Sequence, residues 1–134
     1  MTADAAFELA AQALVMELFA RIDAKDIVGA VALYAQDATF LGARGRHEIR
    51  EVMLRGLAPN GEQRSRHVIG NVRSMPLDPD SVLVRYTAVA YTMDAAVPVA
   101  VRSILDQEQV VRRRDGVLEV AEQRIAGFAP PAAP

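Results

Sequence analysis

Asp23-Ala24-Lys25-Asp26-Ile27-Val28-Gly29-Ala30-Val31-Ala32-Leu33-Tyr34-Ala35-Gln36-Asp37-Ala38-Thr39-Phe40 is the segment around which the rest of the chain is organised. It marks a change of element. Before it, Ala5 to about Ala24 carries Phe7, Leu9, Ala10, Leu14, Leu18 and Ile22 at three- and four-residue steps, the spacing of an amphipathic helix. Thr2 or Asp4 is placed to cap its start. Asp26 reads as the N-cap of a shorter helix through Ile27, Ala30, Val31 and Tyr34. Gln36-Asp37 breaks that helix, and Ala38-Thr39-Phe40-Leu41 reads as a short strand.

Downstream, Gly42-Ala43-Arg44-Gly45 is a turn, and helical spacing returns from His47 to about Gly56 through Ile49, Val52 and Met53. Gly56, Pro59 and Gly61 end it. From Arg64 the period drops to two. His67, Ile69, Asn71 and Arg73 fall on one side, and Val68, Gly70 and Val72 on the other. Pro76 to Asp80 is a turn signal, and Ser81–Met93 is rich in Val, Tyr and Thr. Asp94-Ala95-Ala96 turns the chain into a strand from Val97 to about Arg113. Asp115-Gly116 then carries the signature of a tight hairpin leading to Val117–Gly127. Residues 129–134 read as a flexible Pro/Ala tail. Helices gathered first and hairpin-linked strands afterwards predict one α+β domain over residues 1–128. Its N-terminal helices pack in a curved antiparallel sheet that encloses an apolar cavity.

Composition narrows the function classes. The chain has 134 residues, 51% of them hydrophobic and 24% charged, a balance suited to a single globular core. A formal net charge of −2 lacks the basic excess of nucleic-acid binders. With no cysteine, disulfides, thiolate nucleophiles and Cys-type zinc sites are absent together. No apolar run approaches the ~20 residues that span a bilayer, and the start lacks the order of a signal peptide. The expectation is a cytoplasmic protein with neither nucleic acid nor membrane as partner. Two histidines in different elements make a weak metal-ligand set, and no phosphate-binding glycine loop occurs, so neither metal nor cofactor is expected.

Chemistry near neutral pH therefore has few places to reside. His67, in Ser65-Arg66-His67-Val68-Ile69-Gly70-Asn71, is the leading candidate, and Asp23 is its candidate partner. An imidazole exchanges protons near neutral pH at little cost. A carboxylate accepting one ring N–H fixes the tautomer and leaves the other nitrogen as a base. The same residues also fit a strand histidine hydrogen-bonded in a wall and an aspartate that only ends a helix. His47, beside Arg46 and Glu48, reads as a solvated surface residue.

The element order, the 23–40 segment and the late Arg113-Arg114-Asp115-Gly116 hairpin resemble the SnoaL-like branch of the NTF2-like superfamily over about residues 5–127. That resemblance implies a cone in which a curved sheet wraps the helices around a pocket for a small hydrophobic, cyclic molecule. It also implies a homodimer through the sheet, with Val82, Val84, Val99 and Val101 as sources of apolar area. Asp23 with Lys25-Asp26, followed by Arg66 to Asn71, is similar to the Asp–His dyad branch that includes scytalone dehydratase. There a histidine base takes a proton from carbon while an aspartate orients it. The implied activity is a cofactor-independent dehydratase or isomerase with His67 and Asp23 as catalytic residues. Asn71, Tyr91, Leu18 and Ile69 are the substrate-contacting candidates. The chain departs from the branch at Leu18, Gln123 and Thr92, where some active relatives carry polar helpers. Those departures fit the alternative, a noncatalytic ligand-binding or accessory-subunit module of the same fold.

Overall fold

The computed structural model describes residues 5–56, 64–94 and 97–128, apart from the side chains at 94, 97, 98, 127 and 128. α1 spans Ala5–Asp23 and buries Phe7, Ala11, Val15, Leu18, Phe19 and Ile22. Successive turns of a 3.6-residue helix stack those positions into one stripe. Leu9 is a different case: it lies about half a turn away from Phe7, on the solvent side, and is 67% exposed. Ala10 is exposed as well, so neither belongs to the inward stripe that the spacing suggested.

The Asp23-Ala24-Lys25-Asp26 junction closes one helix and opens the next. Asp26 N–H donates to Arg21 O (2.9 Å) and Lys25 N–H to Ile22 O (2.9 Å), with Lys25 at φ 62. That is a Schellman ending, which satisfies carbonyls the helix leaves open. The Asp26 side chain then accepts from Gly29 N–H at 2.9 Å and caps α2, Ile27–Val31. A Cβ at Gly29 would lie 2.1 Å from Asp26 Oδ2, so the cap requires glycine there.

Tyr34 does not end α2; it starts β1, Tyr34–Phe40, four residues before the expected strand. The fully buried Tyr34 pairs with Val120, a distant contact that local periodicity does not report. β2 (Ala43–Arg44) pairs back on β1, and α3 covers Gly45–Gly56. The remaining strands are β3 (Arg64–Asp78), β4 (Ser81–Asp94), β5 (Val97–Arg114) and β6 (Val117–Phe128). The sheet order is β2-β1-β6-β5-β4-β3, antiparallel except for the parallel β1–β6 pair. Asp115 and Gly116, at φ 52 and 78, supply the two positive φ values of the hairpin turn.

The helices pack on the inner face of this sheet, against Val82, Val84, Tyr86 and Ala88 of β4, Val111 of β5 and Val120 of β6. Val82 and Val84 are 2% and 0% exposed, which removes them as sources of outer apolar surface; Val99 and Val101 are exposed. On the outer face Arg85, Glu108 and Arg124 are cross-strand neighbours, and Glu108 accepts from both arginines at 2.7 and 2.8 Å. Among the described residues no helix is long and apolar enough to cross a membrane. The expected roles of Thr2, Asp4, Pro59, Gly61, Ala95, Ala96 and the tail fall outside the described residues.

Gly29→Ala should push the Asp26 carboxylate out of its capping position and cost about 1 kcal/mol of stability in urea denaturation. Hydrogen bonds from Arg124 and then Arg85 hold the Glu108 carboxyl below its ordinary value. That stabilisation is complete above the unfolded value of about 4.3 and disappears as pH falls through the lower folded value. Glu108→Gln should therefore lose less stability than wild type across that acid window. The difference should be small, since both arginines are about half exposed.

Candidate functional site

Asp23 is the last residue of α1, and β3 runs beside it as the edge strand of the sheet. Its Oδ2 accepts the backbone N–H of His67 at 2.7 Å. Its Oδ1 takes the Ser65 hydroxyl at 3.3 Å and faces His67 Nδ1 at 2.6 Å. Three donors thus aim one carboxylate, and the backbone bond fixes which oxygen meets the ring. The two side chains are 8% and 7% exposed. With Asp23 accepting at Nδ1, the neutral imidazole has its proton on that nitrogen and its lone pair on Nε2. Nε2 has no hydrogen-bond partner among the described residues. The Phe19 ring lies beside the imidazole at 5.0 Å between centroids, and Tyr86 meets Phe19 edge-on at 5.6 Å.

His67 and Phe19 border two spaces. A groove of about 440 Å³ lies between α1 and β3, with Met16, Ala20 and Ala24 on one side and Arg66 and Ile69 on the other. A smaller chamber of about 160 Å³ lies within the curve of the sheet, walled in part by Phe40, Ala88, Leu105, Gln107 and Gln123.

Behind the chamber runs a network of phenols and amides. Tyr34 donates its hydroxyl to Gln123 Oε1. Gln123 Nε2 donates to Gln107 Oε1 at 3.0 Å, and Tyr86 donates to the same oxygen at 2.7 Å. Gln109 Nε2 donates to the Tyr86 hydroxyl at 2.8 Å. Burial pushes both phenols well above the ordinary tyrosine range, so each keeps its proton.

The structure brings Asp23, His67 and Ile69 to these spaces and leaves three candidates elsewhere. Asn71 sits in a bulge between Gly70 and Arg73 at φ 52 and is exposed. The bulge breaks the two-residue alternation, so Asn71 leaves the face of His67. Leu18 is fully buried in the core and lines neither space. Tyr91 pairs with Arg66, one step off the His67–Ala90 row, and also lines neither space. Phe19, Gln107 and the inward role of Gln123 were missed. A signal existed for Gln107: with Leu105, Gln109 and Val111 it occupies alternate positions of one strand, where apolar neighbours mark an inward face. Among the described residues no three potential metal ligands gather.

The SnoaL-like domain pattern matches residues 4–124. The chain belongs to the SnoaL-like family. No curated protein matches it in sequence. Among solved structures, Aln2 from a Streptomyces species is 19% identical, with a TM-score of 0.81 over 95% of this chain and 93% of its own. A Catenulispora acidiphila protein in complex with S-DNPA is 16% identical, with a TM-score of 0.78 over 91% and 93% of the two chains. A Novosphingobium aromaticivorans protein, provisionally a scytalone dehydratase, is 18% identical, with a TM-score of 0.69 over 90% and 83%. At these identities the likeness establishes the SnoaL-like fold.

Asp23→Ala should strip the acceptor from one backbone N–H and one ring N–H of His67 together. A loss of about 1–3 kcal/mol in urea denaturation is expected.

Proposed function

We propose that this SnoaL-like protein is a cofactor-independent dehydratase or isomerase of the cytoplasm, acting on a small hydrophobic, cyclic molecule. His67 is the base and Asp23 orients it. Nε2 takes a proton from carbon, and the C–H electron pair stays on the substrate. That pair then either expels a leaving group from the neighbouring carbon or is protonated again elsewhere. The observation that carries this reading is the 2.6 Å contact of Nδ1 with Asp23 together with an Nε2 that no described residue engages. A neighbour holding S-DNPA supports the small-molecule part of it. The reading includes a homodimer through the outer sheet face, where Val99 and Val101 are exposed.

A specific observation favours a second reading, a noncatalytic binding or accessory module. Gln123 is engaged by Tyr34 and Gln107, and among the described residues no carboxyl group lines the inner chamber to protonate a leaving group.

Deuterium exchange separates the two. Incubated with 2-indanone in D2O and followed by proton NMR, wild type should speed exchange at the carbons beside the carbonyl. His67→Ala and Asp23→Asn, shown folded by circular dichroism, should each lose about 10²-fold or more of that acceleration. Binding of the ketone without any acceleration would select the noncatalytic module.

A further inference from the structure

The inner chamber has an uneven wall. Phe19, Ile22, Phe40 and Leu105 supply apolar surface, His67, Ser103 and the exposed Arg102 add polar groups, and Gln107 and Gln123 supply two buried neutral amides. Gln107 and Gln123 are 8% and 5% exposed, so both are effectively withdrawn from bulk water.

The direction of each amide follows from the phenols behind it. A buried phenol that keeps its proton must donate it. Tyr34 donates to Gln123 and Tyr86 donates to Gln107, so the amide oxygens face the tyrosines. Gln123 Nε2 is then directed at Gln107 Oε1. Gln107 stands at the end of this relay. Its oxygen is occupied by two donors, and its nitrogen has no partner among the described residues. Nor is that nitrogen among the sealed polar atoms lacking a partner, a state found only at Gln109 Oε1 among the described residues. The Gln107 N–H group therefore retains access to the chamber that its side chain lines.

We infer that the chamber recognises an uncharged, largely apolar molecule of one or two rings by a single acceptor oxygen, bound by the side-chain N–H of Gln107. Tyr86 and Gln123 act as positioning residues that hold the amide in the donating orientation. Among the described residues a cation would find no carboxylate on this wall. A carboxylate seated against Gln107 would be desolvated beside neutral amides at a high cost, because the Arg102 guanidinium of the same lining is exposed and donates to the Gly56 carbonyl. The volume of about 160 Å³ is below the range of about 300–1,000 Å³ common for drug-sized ligands, which sets the ring count. This deepens the proposed function by naming its ligand class, and it rests on that reading only in taking the inner chamber as the ligand site.

Two probes of one shape, 2-indanone and indane, test it. Their affinities are measured by competition or calorimetry, and the carbonyl stretch of bound 2-indanone by infrared spectroscopy. Wild type should favour the ketone relative to its partition from water, with the stretch moved to lower frequency by the hydrogen bond. Gln107→Met should cut the ketone-to-indane preference about tenfold and return the stretch toward its position in hydrocarbon solvent, leaving indane affinity nearly unchanged. Gln107→Glu keeps an oxygen for Tyr86 and Gln123 and provides a second route. Its ketone preference should be present when the carboxyl is protonated and donates, and should fall as pH rises and that proton leaves. A preference that survives Gln107→Met, or one independent of pH in Gln107→Glu, overturns the inference. Failure of deuterium exchange with these binding results intact would overturn the catalytic dyad and leave the Gln107 assignment standing.

Discussion

The Asp23 carboxylate joins the helical layer to the edge of the sheet, and the candidate site depends on that join. A negative charge at the C-terminal end of a helix is opposed by the helix dipole. Three donors from β3 compensate, and one of them is a backbone N–H that an edge strand would otherwise leave to solvent. The interaction thus protects an edge, fixes α1 against β3 and orients an imidazole. The Schellman ending makes the geometry possible, because Lys25 in the left-handed region turns the chain away directly after Asp23. α1 can then present its last residue sideways to the strand.

Much of this was legible in the sequence where the controlling contacts are local. The Asp23–Asp26 junction, the Asp26 cap and the Asp115-Gly116 turn each follow from a few adjacent residues and appear as read. The pairing of Asp23 with His67 came from a family resemblance, and the structure shows the two in contact. Errors appear where a distant partner overrides the local period. Tyr34 joins a strand because β6 receives it, Leu9 faces water because the sheet packs on another side of α1, and Asn71 turns outward because of a bulge. A strand loses its parity at each irregularity, so inward assignments weaken beyond the first one. Val82 and Val84 show the related difficulty. An apolar strand face announces that it will be covered, but not whether a helix of the same chain or a second copy covers it.

The amides illustrate a different kind of concealment. Gln107, Gln109 and Gln123 are ordinary polar residues in the sequence, and the spacing of Gln107 and Gln109 marks only a shared face. Their importance comes from Tyr34 and Tyr86, which arrive from β1 and β4. A side-chain amide offers a donor and an acceptor about equally. Only the surrounding partners decide which end faces the chamber. Local sequence carries no record of that choice.

The division of charge across the site follows from solvation. A carboxylate deep within the sheet would require several compensating donors, and an unpaired one would be neutralised. Here the acidic group stands at the helix end, near the groove and supplied with donors, while the chamber presents the neutral amides of Gln107 and Gln123 with the phenols behind them. His67 spans the two environments. Its Nδ1 is held by the charged group, and its ring borders both the groove and the neutral chamber. Asp23 can therefore hold the imidazole without placing its own charge among the chamber's apolar walls. A base that must become transiently cationic beside an apolar ligand needs that separation. The join between α1 and the edge of the sheet is the part of the fold that provides it.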